Sequence, residues 1–272
     1  MFSSIYTNTH HSFTINEFFN KTIHLRKLPF FLSEVEIASF LEQLKQHSKD
    51  SSNNVRMDDG YFYPFPYSTI HDQASFDQNH PYFTSGADFH KKHESFSKDL
   101  QSKLEETLQV ELHPLNYQGL DFSKFNCRIL YAQKNGIDIH CENAFIPQLN
   151  PAMSSWMESI LDLKNALSFL LVLQAPRQGG ELVLFNQEWD DIEILIQHEP
   201  YADRHDISGG MFKKHGAKNV QHFMFPPMEG EAILFRAAQI WHGINKIEGD
   251  NNRITIGCFI AKGLDGKYYF WA

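Results

Sequence analysis

The stretch that decides the fold is GEAILFRAAQIWHGINKIEGDNNRITIGCFIA, residues 230–261, in which the turn signal EGDNN separates two apolar segments. Both segments have the length and the β-branched and aromatic content of buried strands. His242 follows the apolar part of the first segment and precedes a glycine. On the second segment Arg253 and Thr255 are two residues apart, so their side chains point to the same face of a strand. The stretch therefore predicts a β-rich fold with polar residues gathered on one face.

From about residue 122 onward the chain is a series of short β-rich segments, several of them separated by turn signals such as QGGE and MEGE. The segments that we interpret as strands are KFNCRILYAQ, DIHCENAF, ALSFLLVLQ, ELVLFN, IEILIQ, EAILFRA, RITIGCFIAK and KYYFWA. The first third of the chain looks helical and irregular instead. Strands that follow helices in this way predict an α+β, mainly β fold, an antiparallel sandwich or barrel with N-terminal helices packed outside.

Two helices are predicted in the first third of the chain. Ser33 and Glu36 have the spacing of a capping box, and the apolar residues that follow predict a helix over about 34–48. A second apolar stripe at three- or four-residue spacing predicts a helix over about 88–110. Between them, the three prolines of residues 61–83 exclude a regular helix and indicate an ordered aromatic loop, of a length that often forms part of a site.

Length and cysteine content set the expected domain and compartment. The 272 residues fit one large domain over 1–272, with a helical and loop region over 1–120 and a β core over 121–272. The three cysteines are sparse and form no CxxC pair, which argues against a disulfide framework and favours a reducing compartment. No leader peptide and no apolar run of membrane-spanning length is visible, so we expect a cytoplasmic protein.

The charge balance bears on the partner. The chain has 24 lysines and arginines against 33 aspartates and glutamates, a formal charge of −9, and no block of basic residues. Phosphate backbones and anionic lipid surfaces would be repelled, which disfavours nucleic acid and membrane. A small-molecule substrate is easier to accommodate, and the oligomeric state stays open.

Two further candidate metal ligands lie in GIDIHCENAF, residues 136–145. In a strand, His140 and Glu142 would project together because residues i and i+2 share a face. With His242 they form a set of two histidines and one carboxylate, which holds one face of an octahedral Fe(II) and leaves three positions open. The alternative is a satisfied pair of core histidines and a surface carboxylate.

The pair on the downstream strand is suited to an anion. A guanidinium such as that of Arg253 binds a carboxylate through two parallel hydrogen bonds, and the hydroxyl of Thr255 can add another. Alternatively, Arg253 is a strand-start cation paired with Asp250 or Glu248.

Four other residues are weaker candidates. Arg128 and Tyr131, in CRILYAQ, either face the cavity and contact cosubstrate or substrate, or pack within the sheet. Asn143 follows the ligand segment and is a candidate substrate contact or a support for the ligands. Trp271, in the aromatic segment YYFWA, either closes the pocket or belongs to the core.

Taken together, four motifs resemble the Fe(II)- and 2-oxoglutarate-dependent oxygenases. They are HCE at 140–142, GGELVLF at 179–185, GEAILFRAAQIWHGI at 230–244 and RIT at 253–255. The resemblance covers roughly residues 122–262. It implies a double-stranded β-helix, a kind of jelly roll, and the use of Fe(II), 2-oxoglutarate and O2.

The resemblance also assigns roles to the candidate residues. His140, Glu142 and His242 would hold the iron, and Arg253 with Thr255 would hold the far carboxylate of 2-oxoglutarate. Most members carry aspartate at the carboxylate position, whereas this chain has glutamate. Related halogenases replace that carboxylate with a small residue so that chloride can bind iron. Glu142 therefore favours hydroxylation over halogenation.

The sequence thus predicts an oxygenase that hydroxylates an unactivated C–H bond of a small molecule such as a free amino acid or amine. A peptidyl or protein hydroxylase is an alternative, with residues 198–222 as a docking surface. A non-catalytic jelly-roll binding protein is a second alternative, but the three ligands and the arginine count against it. A cupin-like metalloenzyme is a third, and it has no need of Arg253 and Thr255.

Overall fold

The computed structural model describes residues 13–47, 55–69, 80–144, 151–189, 210–214 and 217–272. The helices in these ranges are α1 Ile15–Phe19, α2 Glu34–His47, α3 Pro81–Lys92, α4 Glu94–Leu108, α5 Pro151–Ile160 and α6 Gly210–Lys214. The strands are β1 Leu25–Leu28, β2 Val55–Met57, β3 Gly60–Tyr63, β4 Leu112–Pro114, β5 Asn116–Tyr117, β6 Leu120–Asp121, β7 Asn126–Leu130, β8 Ile137–His140, β9 Leu167–Gln174, β10 Gln178–Gly179, β11 Leu182–Glu188, β12 His222–Phe225, β13 Ala232–Phe235, β14 Ile240–Ile244, β15 Ile247–Glu248, β16 Arg253–Lys262 and β17 Tyr268–Trp271. The expected strand IEILIQ and most of the 198–222 segment lie outside the described residues.

Two sheets form the core. The larger has nine strands, with the order β1-β13-β9-β16-β7-β3-β2, and with β17 paired to β16 and β4 paired to β17. The smaller has the order β12-β11-β14-β8. Pairing is antiparallel throughout these sheets except between β17 and β4. This mainly β architecture with helices packed outside is the jelly-roll class that the sequence predicts.

Strand β16 lies in the middle of the larger sheet and its two faces have different neighbours. Ile256 and Ile260 belong to one buried cluster with residues of α2 and α4. The alternate residues, which include Arg253 and Thr255, line a cavity on the opposite face. Because side chains alternate along a strand, the same sequence packs the helices and builds a polar site.

Helix α2 confirms the capping-box prediction. The Ser33 backbone N–H donates to Glu36 Oε2 at 2.8 Å, and the Glu36 backbone N–H donates to Ser33 Oγ at 3.3 Å. Along the helix, Phe40 stacks on Phe96 of α4 with ring centroids 3.8 Å apart. The cap fixes the start of α2, and the aromatic contact holds the helix against α4.

The predicted helix over 88–110 is wrong in one respect, because the structure divides it. Helices α3 and α4 are separated at His93, whose φ of −122° and ψ of 35° depart from helical values. His93 is 1% exposed, and its ring lies 5.1 Å from that of Phe40. The spacing of apolar residues continues through the break because the residues on both sides of it pack on the same core. The sequence pattern therefore predicted one helix where the structure has two.

The N-terminal region is also more than helices and loops. It contributes β1, β2, β3, β4 and β5, and the first four of these join the larger sheet. The aromatic stretch 61–83 therefore begins within strand β3, which pairs with β7, and it ends within α3. Pro81 is compatible with that helix because it occupies the first turn, where a backbone N–H is not needed.

The structure also describes the three cysteines and the length and polarity of the helices. Cys127, Cys141 and Cys258 are buried free thiols. Within the described ranges, every helix is too short or too polar to cross a lipid bilayer.

We expect Glu36→Gln to destabilise the protein in a pH-dependent way. The ammonium of Lys103, then Ser33, lowers the pKa of Glu36 to about 2. The carboxylate therefore stabilises the fold above pH 4.5, and this contribution is lost as the pH falls toward 2. Because solvent screens this half-exposed pair, the substitution should lower the free energy of unfolding by about 0.5–1 kcal/mol at pH 7.

Urea unfolding at a series of pH values measures the difference. Glu34→Gln, which removes a charge from the same helical turn, is the control. If Glu36→Gln lowered the free energy of unfolding as much at pH 2 as at pH 7, the Glu36 carboxylate would not be the source of the stability.

Candidate active site

Two neighbouring strands bring the candidate histidines together. β8 and β14 pair so that His140 lies directly opposite His242, with ring centroids 4.2 Å apart. His140 Nδ1 is 2.6 Å from the Asp138 carbonyl, and His242 Nδ1 is 2.8 Å from the Ile240 carbonyl. A carbonyl only accepts, so each Nδ1 carries the proton and each Nε2 carries the lone pair of the ring. Both rings are thereby fixed in the tautomer that binds a metal through Nε2.

Glu142 reaches the histidines from a turn and not from a strand, so the predicted strand alternation is wrong at this residue. β8 ends at His140, and Glu142 begins a one-turn 3-10 helix, Glu142–Ala144. Its backbone N–H donates to the Ala237 carbonyl at 3.2 Å. The turn still directs the carboxylate to the site, because Oε1 lies 3.6 Å from His140 Nε2 and 3.8 Å from His242 Nε2.

These three side chains fit one metal ion. One ligand atom from each of His140, Glu142 and His242 lies within 4.8 Å of the others. Donors bound about 2.1 Å from a common ion lie at most about 4.2 Å apart, which matches the two distances from the carboxylate. A set of two imidazoles and one carboxylate is typical of Fe(II) sites with open positions.

The surroundings of His242 keep its imidazole neutral. His242 is 5% exposed, and the ring of Phe235 meets its ring edge-to-face at 4.9 Å. Burial, then the nearby His140, holds the pKa of His242 well below its usual value. A neutral imidazole is the form that binds a metal ion, so the site is prepared for a cation at neutral pH.

Arg253 and Thr255 face the cavity from β16, as the sequence predicts. Arg253 is 2% exposed, and its Nε–H donates to the Gly180 carbonyl at 3.0 Å. Burial, then the charge of Arg128, lowers its pKa to about 9, so the guanidinium remains charged at pH 7. Thr255 Oγ1 is buried and has no hydrogen-bond partner among the described residues. A charged donor beside an unused hydroxyl fits a carboxylate group.

The glycines of the GGE motif make the arginine contact possible. Gly179 and Gly180 have φ of 75° and 72°, a conformation that side chains disfavour. A Cβ on Gly180 would lie 2.8 Å from Pro176 Cγ and 3.1 Å from Arg253 Cδ. The turn therefore brings the backbone of Gly180 against Arg253, and the Gly180 carbonyl fixes the direction of the guanidinium.

Arg128 and Tyr131 have different positions. Arg128 lies opposite Thr255 in the β7–β16 pair and lines the cavity, with its guanidinium carbon 4.3 Å from the centre of the Phe62 ring. Tyr131 follows the end of β7 and packs against Tyr61 at 6.1 Å. Within the described part of the chain, the cavity lining does not include Tyr131.

The cavity has a volume of about 270 Å³ and joins the metal ligands to the anion anchor. Phe62, Pro66, Tyr67 and Ser68 line it, so the predicted aromatic loop does reach the site. Other lining residues are Met57, Asn126, Ile137, Ser168, Phe169, Leu170, Leu182, Phe235, Ile244, Gly257, Cys258, Phe259 and Ala272.

The two remaining candidates, Trp271 and Asn143, are buried residues. Trp271 is 2% exposed and packs against the rings of Tyr67 and Phe259, at 6.4 and 5.9 Å. Asn143 is 7% exposed, and its side-chain amide has no hydrogen-bond partner within the described ranges. Neither residue belongs to the described lining of the cavity.

Sequence reasoning missed Phe62, Tyr67 and Gly180 as parts of the site. The GGE motif contained a signal for Gly180, since two adjacent glycines beside a strand indicate close backbone approach. For Phe62 and Tyr67 the only signal was the concentration of aromatic residues in the loop.

The fold and the site together define an Fe(II)- and 2-oxoglutarate-dependent oxygenase. The family model described as carrier-protein-independent halogenase WelO5 matches residues 6–272, and the chain belongs to that family. Fe(II), 2-oxoglutarate and O2 are accordingly its cofactor and cosubstrates. The donor set of two imidazoles and a carboxylate fits the iron, and Arg253 with the unused Thr255 hydroxyl fits a dicarboxylate.

Solved structures with the same fold include a dioxygenase of N-substituted L-amino acids from Burkholderia ambifaria AMMD. It aligns with a TM-score of 0.59 at 13% identity, over 95% of this chain and 90% of that one. A second structure of that enzyme, in complex with alpha-KG, aligns with a TM-score of 0.56 at 13% identity and the same coverage. A search of curated proteins finds no match.

We expect Gly180→Ala to weaken 2-oxoglutarate binding by about tenfold or more, because the new Cβ pushes on the arginine. It should also destabilise the fold by about 1–2 kcal/mol through the left-handed backbone. Gly119→Ala is the matched control, since Gly119 has φ of 89° but its Cβ would meet nothing within 4 Å.

Calorimetric titration of the Mn(II)-loaded variants with 2-oxoglutarate measures the effect. If Gly180→Ala and Gly119→Ala bound 2-oxoglutarate with equal affinity, Gly180 would not be needed to position Arg253.

Proposed function

We propose that this chain is a hydroxylase, which inserts oxygen into an unactivated C–H bond of a small molecule, and not a halogenase. The observation that carries the proposal is the carboxylate of Glu142, 3.6 and 3.8 Å from the two imidazole Nε2 atoms. Related halogenases have a small residue at that position, which leaves a place for halide on the iron. Here the third ligand is supplied by the protein, so the coordination position that chloride needs is taken.

Each residue of the site has a role that follows from its geometry. His140, Glu142 and His242 hold the iron, which with 2-oxoglutarate and O2 supplies the oxidising power when bound. Arg253 and Thr255 hold the far carboxylate of 2-oxoglutarate and so fix the orientation of the cosubstrate. The apolar walls exclude water from the reacting centre.

The cavity supports a small-molecule substrate over a protein. Its volume of about 270 Å³ must also contain the cosubstrate, which leaves room for a compound of modest size. The Burkholderia ambifaria enzyme shares the fold and is described as acting on N-substituted L-amino acids, although 13% identity carries the fold alone. A cytoplasmic location stays a prediction from the cysteine content.

We expect chloride to leave the wild-type iron site unchanged. Under anaerobic conditions, Fe(II) and 2-oxoglutarate should give a weak visible charge-transfer band that does not shift between chloride-free buffer and buffer rich in chloride. Glu142→Ala should bind iron about a hundredfold more weakly, and its band, at saturating iron, should become sensitive to chloride. Glu142→Asp is the control that keeps a carboxylate.

The proposal fails if wild-type protein shows a chloride-dependent band. It also fails if turnover in air with a chloride salt gives a chlorinated product. The expected result is the formation of succinate together with a hydroxylated substrate that carries label from ¹⁸O2.

We expect Arg253→Gln to raise the dissociation constant for 2-oxoglutarate about 30-fold or more, since a buried charge partner of the carboxylate is removed. The affinity for the metal alone should change little. Arg177→Gln is the matched control, because the Arg177 side chain is 71% exposed and pairs with Asp250. Titration of the anaerobic charge-transfer band with 2-oxoglutarate measures the first constant, and calorimetric titration with Mn(II) alone measures the second. An unchanged 2-oxoglutarate affinity in Arg253→Gln would remove Arg253 from the cosubstrate site.

A further inference from the structure

The cavity contains a second guanidinium, and it has no described anion to balance it. Arg128 lines the cavity, and its Nε is buried without a hydrogen-bond partner among the described residues. One face of the guanidinium is covered by Phe62 at 4.3 Å. No described carboxylate lies within 4.0 Å of it. Burial lowers the pKa of Arg128 to about 10, which leaves it positively charged at neutral pH.

The charges in a site that holds iron and 2-oxoglutarate indicate which kind of ligand Arg128 binds. The iron contributes two positive charges and Arg253 one, while 2-oxoglutarate contributes two negative charges and Glu142 one. These groups cancel without Arg128. Glu181 adds a negative charge near Arg253, whereas the described carboxylate that acts on Arg128 is Glu142, which the metal uses. A buried charge without a partner is unfavourable, so an anion that enters the cavity beside Arg128 gains a strong interaction.

The strand register places Arg128 directly opposite Thr255 and two positions along the register from Arg253. Arg253 is opposite Leu130 in the β7–β16 pair, whereas Arg128 is opposite Thr255, two residues further along β16. Burial lowers the pKa of Arg128 and the charge of Glu142 opposes that lowering, so this guanidinium lies within electrostatic reach of the metal ligands. The charges that act on the pKa of Arg253 are instead those of Arg128 and Glu181. Arg128 thus lies on the metal side of Arg253.

Beyond Arg128 the cavity continues along both strands. The next pair in the same register is Asn126 opposite Gly257, and Ser168 of β9 is opposite Phe259. All four residues line the cavity, as does Tyr67. A molecule held at Arg128 can therefore extend over this surface, which the far carboxylate of 2-oxoglutarate does not need.

We propose that Arg128 binds an anionic group of the substrate, and that the substrate is a small organic carboxylic acid. The inference rests on the proposed function and names its substrate class. An amino acid or an N-acylated amino acid qualifies through its carboxylate, whereas a simple amine does not. In this geometry Arg253 holds the carboxylate of the cosubstrate and Arg128 holds that of the substrate, so one cavity discriminates two acids.

The test compares acids with their neutral amides on protein loaded with Mn(II) and 2-oxoglutarate, which does not turn over. The probes are hexanoate and hexanamide, 3-phenylpropanoate and 3-phenylpropanamide, and N-acetyl-L-leucine and N-acetyl-L-leucinamide. Binding is measured by calorimetry. At least one acid should bind wild-type protein about tenfold or more tightly than its amide.

Two variants assign that preference to Arg128. Arg128→Gln should abolish the preference and leave the affinity for 2-oxoglutarate within about twofold, which is the reverse of Arg253→Gln. Arg128→Lys keeps the charge and should restore part of the preference. Arg177→Gln should behave as wild type.

Three results would overturn the inference. They are the absence of any acid preference in wild-type protein, a preference that survives in Arg128→Gln, and a loss of 2-oxoglutarate binding in Arg128→Gln as large as that in Arg253→Gln. The third result would assign Arg128 to the cosubstrate. Failure of the hydroxylase proposal is seen separately, as a chloride-dependent band or a chlorinated product.

Discussion

The site depends on the pairing of β8 with β14. Because the two strands are antiparallel and adjacent, His140 and His242 lie opposite each other, and their Nδ1–H groups donate to carbonyls within their own strands. The ladder thus sets both the separation of the rings and the nitrogen that each presents. A metal ion that enters this site meets ligands already oriented, so little order has to be created when it binds.

The larger sheet carries the complementary half of the site. Its inner face brings Arg128 and Thr255 side by side on neighbouring strands, and Arg253 on the same face is held by the Gly180 carbonyl. Its outer face is covered by α2 and α4. Loss of packing on the outer face would therefore disturb the positions of the anchoring groups, although the helices supply none of them.

Much of this arrangement could be predicted because it depends on local pattern. The short apolar segments predicted the strands, the Ser33–Glu36 spacing predicted α2, and the i, i+2 spacing placed Arg253 and Thr255 on one face. What could not be predicted depends on contacts between distant parts of the chain. The break at His93 is set by packing against Phe40. Likewise, β3 is a strand because β7 lies beside it, which no local pattern shows.

The position of Glu142 in a turn has an evolutionary consequence. A residue within a strand is constrained by the pleat and by its cross-strand neighbours. Glu142 instead lies just past the end of β8, and its backbone N–H donates to Ala237 in the connection between β13 and β14. Its side chain can be exchanged without changing the register of any strand. A family that contains a halogenase can therefore acquire or lose a carboxylate ligand through a single codon, and the same scaffold can host different oxidative outcomes while its architecture is inherited intact.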